Sequence, residues 1–158
     1  MRIVDPAVFF ANFPHLSPKL VQVTSSATPK YNCIAWAAGD NRSWWWPSPD
    51  GYWPPGVPQR ATLDAFRQAF GAIGYTTARG TNVEPNKEKV AIYALNDVPT
   101  HAARQLPNGK WTSKCGRNVD IEHDLHELEG SCYGQVVVML ERCNVTAQRA
   151  SRVTRGRL

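Results

Sequence analysis

Tyr31-Asn32-Cys33-Ile34-Ala35-Trp36-Ala37-Ala38-Gly39-Asp40 sets a cysteine at the head of a short, alanine-rich, mostly apolar segment. Ahead of it, Thr24, Ser25, Ser26, Thr28 and Pro29 form a run poor in helix formers. Behind it, Ile34, Ala35, Trp36, Ala37 and Ala38 suit a buried helix that Gly39 ends. The pattern predicts Cys33 at a helix N-terminus, where unpaired backbone N–H groups favour thiolate over thiol and lower a cysteine's pKa. A nucleophilic role competes with a plain packing role, because free cysteine is among the most buried residue types.

Composition narrows the classes. A chain of 158 residues, 42% hydrophobic and 20% charged, is expected to form one globular domain over 1–144 with a basic tail over 145–158. No apolar run approaches the roughly 18 residues of a spanning helix, and Met1-Arg2-Ile3-Val4-Asp5-Pro6 lacks the apolar region of a secretory signal. The expectation is therefore no membrane insertion and a cytoplasmic location as synthesised, any export using a route without a signal peptide. Cys33, Cys115, Cys132 and Cys143 are irregularly spaced with no CxxC pair, so neither a structural zinc site nor a disulfide framework is spelled out. No cofactor or metal is expected; a site drawing on Cys115, His123 and His126 would match no established spacing. The net charge of +5 owes much to Arg149, Arg152, Arg155 and Arg157 near the end of the chain. The body is close to neutral, and no RNP, KH or helix-turn-helix pattern points to specific nucleic-acid recognition.

Working outward from Cys33, residues 1–30 carry scattered apolar side chains broken by Pro6, Pro14, Pro18 and Pro29, which leaves room only for short elements. Downstream, residues 41–58 concentrate Trp44, Trp45, Trp46, Tyr52 and Trp53 among prolines. This predicts an ordered loop that either pins itself to the core or walls a substrate groove. Leu63, Phe66, Phe70 and Ile73 make an apolar helical stripe between an N-cap at Thr62 and a stop at Gly74. Residues 89–95 read as a strand, 101–106 and 110–114 as a hairpin around Asn108-Gly109, 116–130 as a polar loop with a helical turn, and 133–141 as a central strand. Helices first and an antiparallel sheet afterwards is an α+β order.

A thiol hydrolase needs a thiolate, an imidazole that holds and returns the proton, a group orienting that imidazole, and donors for the oxyanion. His101, at a strand start, supplies the imidazole. The orienting group depends on hairpin register. If Leu106 pairs with Lys110, then His101, Ala103 and Gln105 share a face with Trp111 and Ser113; if Pro107 pairs with Lys110, that face carries Thr112 and Lys114. Asp120, Glu122 and His123 are further candidates. The Cys33 backbone N–H is the natural oxyanion donor, with Asn32 or Tyr31 adding a side chain.

These residues carry a resemblance. A cysteine opening a helix, followed by a histidine starting a strand in a later antiparallel sheet, resembles the papain-like fold, especially its compact bacterial branch, the NlpC/P60 and CHAP-type hydrolases. More narrowly, residues 31–37, 101–106, 109–114, Ile121-Glu122-His123 and Tyr133-Gly134 look like a family of small bacterial proteins with that architecture. The chain departs from NlpC/P60 in having Asn32-Cys33-Ile34-Ala35 where that group has Asp-Cys-Ser-Gly, and it lacks papain's Cys-Trp pair. The resemblance implies N-terminal helices packed on an antiparallel sheet, with Cys33 as nucleophile and His101 as general base and acid. A polar residue on or after the next strand would be the orienter; Glu122 is favoured because a carboxylate best stabilises an imidazolium, with Ser113, Asp120 and His123 open. The aromatic set Trp44, Trp45, Trp46, Tyr52, Trp53 and Trp111 is the expected substrate-binding surface.

The leading expectation is a cysteine peptidase or amidase cleaving a peptide, isopeptide or amide bond through a thioester. Its substrate would be a protein or peptide, and an effector or toxin of this kind would travel with an immunity or inhibitor protein. One alternative is transglutaminase-like acyl transfer or deamidation on glutamine. Another, from a different class, is a ligand-binding module using the aromatic loop, with Cys33 merely buried.

Overall fold

A computed structural model describes residues 1–144; the basic tail expected over 145–158 lies outside the described residues. Seven antiparallel strands form one sheet in the order β1-β6-β5-β4-β3-β7-β2, with β1 Gln22–Ser25, β2 Thr76–Thr77, β3 Lys87–Leu95, β4 Val98–Gln105, β5 Trp111–Lys114, β6 Asp120–His123 and β7 Gln135–Cys143. Among the described residues three helices accompany it: α1 Pro6–Asn12, α2 Cys33–Ala37 and α3 Leu63–Gly71. This is an α+β architecture. No helix among the described residues is long and apolar enough to cross a membrane.

Helices α2 and α3 each start at a capping side chain, whereas Asp5 ahead of α1 makes no such bond. Asn32 accepts from the Ala35 N–H, and Thr62 accepts from the Ala65 N–H. The α3 stripe buries Phe66 and Phe70 completely, each stabilising the fold by about 2–3 kcal/mol. One sheet face packs Val90, Ile92, Ala102, Val138 and Leu140 under α2, α3 and the tryptophan loop. The other packs Ala91, Tyr93, Ala103, Trp111 and Ile121 under Phe9 and Phe13 of the N-terminal segment and the chain around a 3-10 turn, Leu125–Leu128.

Two hairpins set the register. Asn96 and Asp97 both take positive φ (50° and 63°), the two-residue turn that matches strand twist, and join β3 to β4. Between β4 and β5, Leu106 N–H donates to Lys110 O at 2.7 Å, so the first of the two registers holds. His101, Ala103, Gln105, Trp111 and Ser113 thus belong to one face. The 116–130 segment contains a strand that the sequence reading leaves as loop: β6 pairs with both β5 and β1. Its polar sequence, Asp-Ile-Glu-His, hides the alternation because buried Asp120 and His123 bond within the protein rather than face water.

Candidate functional site

Strands β4 and β5 pair at Arg104–Thr112 and Gln105–Trp111, and no ladder pairing continues towards His101 and Cys115. Cys33 meets the sheet from the α2 side of this opening. Its thiol lies against the backbone N–H of Ala102, the residue after His101, and also senses the N–H groups of Cys33 and Ile34. These groups favour the thiolate, but burial outweighs them and pushes the Cys33 thiol up to about 11. The expectation of a lowered pKa is corrected on this point. A five-residue helix offers a small field, and the thiol of a residue only 8% exposed loses most of its hydration.

His101 points to the opposite face of the sheet. It is fully buried rather than poised at a cleft, because the aromatic rings of Tyr93 and Tyr133 enclose it. The Tyr133 ring stacks on the imidazole at 4.1 Å and 9°, and the Tyr93 ring meets it edge-on at 5.1 Å. Burial, reinforced by the nearby His123, holds the His101 pKa well below its ordinary value. His101 Nε2 lies 2.8 Å from Ser113 Oγ, and Ser113 Oγ lies 2.7 Å from His123 Nε2. His123 Nδ1 lies 2.7 Å from the Asp124 carbonyl oxygen. His101 Nδ1 is buried and makes no hydrogen bond, to Cys33 or to any other described group.

Of the open candidates for the orienting group, Ser113 therefore contacts His101, and His123 stands behind it. Glu122 does not. Strand alternation puts its side chain opposite Thr112, on the face away from His101, where its carboxylate accepts from Asn108 Nδ2 at 2.7 Å. Asp120 is on that same face and accepts from Tyr31 Oη at 2.6 Å and from Ser25 Oγ. Burial, helped by the Asp120 bond, raises the Tyr31 phenol to about 12. Lys114, fully buried, stands 5.3 Å over the Tyr31 ring and is the cation that favours a negative Cys33.

Asn32 is not an oxyanion donor in this arrangement. Its Oδ1 accepts from the N–H groups of Ala35 (3.1 Å) and Trp45 (3.0 Å), and its Nδ2 donates to the Trp45 carbonyl at 2.6 Å. The amide caps α2 and clamps the tryptophan loop beside it. The loop aromatics also turn inward. Trp45 and Trp53 are buried, Trp46 and Trp53 pack on Phe66 at 5.5 and 5.1 Å, and Trp44 is half-buried. Tyr52 alone of the set is exposed, lying against the Trp45 ring. Trp111 is buried in the core on the His101 face. Apolar contact with the protein's own helix thus occupies the surfaces expected to hold substrate. Cys115, His123 and His126 do not converge either: His126 is exposed and pairs with Glu129, and no group of three such side chains among the described residues could hold a metal ion.

Tyr133 is the residue that spacing alone did not mark. It belongs to the Tyr133-Gly134 pair just before β7, and Thr100 Oγ1 donates to its carbonyl. It also lines a cavity of about 380 Å³ with Phe9, Phe13, Cys115 and Cys132. Tyr133 therefore stands between this cavity and the buried imidazole.

An α+β protein with a buried thiol next to an imidazole–hydroxyl–imidazole chain is the class that fold and site define. The chain belongs to the family Domain of unknown function (DUF7689), whose model matches residues 22–141. That span holds every residue of the cluster. No curated protein and no solved structure matches the chain.

Proposed function

We propose that this chain is a papain-like cysteine hydrolase that cleaves a peptide, isopeptide or amide bond through a thioester on Cys33. The observation that carries the reading is a thiol set, at the opening between β4 and β5, against the backbone N–H of Ala102, the residue that follows His101 in the chain. The His101 imidazole has one nitrogen fixed by Ser113 and the other unpartnered. In the resting protein both groups are neutral, since burial raises the thiol and lowers the imidazole. For the Cys33 proton to pass to His101 Nδ1 the two side chains must first come within hydrogen-bond reach at the opening between β4 and β5; the sulfur then attacks the substrate carbonyl, and the developing oxyanion takes the Cys33 backbone N–H. Collapse of this intermediate expels the amine, which receives the proton from His101, and leaves the acyl thioester. Water, deprotonated by His101, releases the acid and restores the thiol. Because the chemistry starts from a neutral pair, access is the gate: the substrate must displace the cover over His101, and Tyr133 is that cover.

The inward-turned aromatics speak against a ligand-binding module built on the tryptophan loop, which needs them at the surface. Iodoacetamide alkylation of the folded protein, read by mass spectrometry, tests the pair. Cys115 is an internal reference, as it is equally buried and its pKa is also raised by burial. Cys33 is expected to react well ahead of Cys115 at neutral pH and to lose that lead in His101→Ala. A Cys33 as silent as Cys115 until the protein unfolds refutes the hydrolase.

A further inference from the structure

The chain from His101 to Asp124 has a direction that its last link dictates. A backbone carbonyl oxygen only accepts, so His123 Nδ1, 2.7 Å from Asp124 O, carries a hydrogen and donates it. Burial lowers the His123 pKa to about 4, which makes the ring neutral near pH 7, with one proton only. Its Nε2 is therefore bare and accepts the Ser113 hydroxyl hydrogen across 2.7 Å. That hydrogen is the only one Ser113 has. Across 2.8 Å on the other side, Ser113 Oγ is left to accept, and His101 Nε2–H to donate. His101 is also neutral, so its single proton sits on Nε2 and its Nδ1 keeps a lone pair, in agreement with the absence of any partner there.

We infer that His123 is a positioning residue which, through Ser113, holds His101 in the tautomer with the proton on Nε2 and a bare Nδ1. The tautomer follows from the hydrogen bonds of two buried, neutral rings. That it prepares His101 to take the Cys33 proton rests on the hydrolase reading. Ser113 could by itself point its hydroxyl at either ring, because a hydroxyl both donates and accepts. The donor bond of His123 to a fixed peptide oxygen removes that freedom. Stacking of the Tyr133 ring at 4.1 Å then fixes the plane of the imidazole, and the chain fixes which nitrogen is basic.

Long-range nitrogen–carbon NMR of the full-length protein with labelled histidine reads the tautomer of each ring directly. The expected wild-type result is Nε2–H for His101 and Nδ1–H for His123. A His101 carrying its proton on Nδ1 overturns the inference whatever the enzyme does. His123→Leu removes the acceptor, and His101 is expected to become a mixture of tautomers. His123→Gln, whose carbonyl oxygen can take the Ser113 hydrogen, is expected to restore Nε2–H. A His101 that stays wholly Nε2–H in His123→Leu also overturns it. Should that variant not fold, Ser113→Ala cuts the same chain with a smaller change, and an unaltered single tautomer there is equally fatal. Cys33 alkylation at neutral pH is read on the same samples and is expected to fall in proportion to the Nε2–H population lost, about twofold for an even mixture, in the Leu variant and to recover in the Gln variant. A correct tautomer pattern with a Cys33 inert in the native wild type leaves the positioning role standing and removes the hydrolase.

Discussion

Replacing Gly134 with alanine tests the packing that holds Tyr133 over the site. Gly134 has φ +75°, and a Cβ there would come within 1.9 Å of Ala94 O and 2.6 Å of Ala94 C. Both obstacles are backbone of β3 and cannot rotate away. The φ alone costs a non-glycine residue about 1–2 kcal/mol. Relief of the clash requires the 130–134 turn to move, which gives up the two bonds between Gly130 and Gly134 (3.0 and 2.8 Å), worth about 1 kcal/mol each. The expected total is about 3–4 kcal/mol, equivalent to about 10 °C in Tm for a chain of this length. Gly39→Ala is the matched control. Its φ is +86° with nothing within 4 Å of an added Cβ, so it carries only the backbone cost of about 1–2 kcal/mol. Urea denaturation followed by circular dichroism measures both. Gly134→Ala is expected to lose about 2 kcal/mol more than Gly39→Ala and to shift the His101 ring signals, since Tyr133 moves with its neighbour. Equal losses in the two variants would refute the close approach and, with it, the claim that this turn holds Tyr133 in place.

Asn32→Ala should destabilise by about 2–4 kcal/mol in the same denaturation assay, because it removes a cap and leaves the Trp45 N–H and C=O buried without partners; an unchanged midpoint would mean that the amide does not clamp the loop. The buried histidines make stability depend on pH. The folded pKa of His123, about 4, lies below the ordinary 6.5, so the folded state binds fewer protons; its contribution is present above about pH 6.5 and is lost as pH falls towards 4. Between about pH 7.5 and pH 5 this amounts to about 2 kcal/mol for His123, with His101 adding in the same direction. Urea midpoints across that range should fall in the wild type and fall less in His123→Gln, and a flat wild-type profile would contradict the neutral pair.

Where order is local, the sequence displays it. Thr62 announces its helix, Asn108-Gly109 announces its hairpin, and Leu63, Phe66 and Phe70 mark the buried stripe of α3, while the sequence reading leaves the cap that Asn32 makes on α2 unmarked. Cys33 and His101 are visible as residue types; α2 falls where the pattern puts it, whereas β4 begins at Val98, so His101 lies inside the strand rather than at its start. What stays hidden depends on partners far along the chain. β6 is polar and becomes a strand because β1 and β5 flank it. The orienting group hangs on register: charge favoured Glu122, whereas alternation turns that carboxylate away and brings in Ser113 and His123. The thiol is a similar case. The helix-end effect can be read from a few residues, while the larger, opposing effect of burial belongs to the whole fold.

The strand order carries a consequence for how the protein is made. β1 closes the sheet on β6, almost a hundred positions later, and the Tyr31–Asp120 bond spans a similar stretch. Cys33 is synthesised early, Ser113 and His123 late, and Tyr133 later still. A chain still emerging from the ribosome therefore holds its cysteine as an ordinary thiol, with no imidazole fixed beside it. The cluster is complete only when the last strands join, so synthesis itself delays whatever chemistry it performs until the fold is closed.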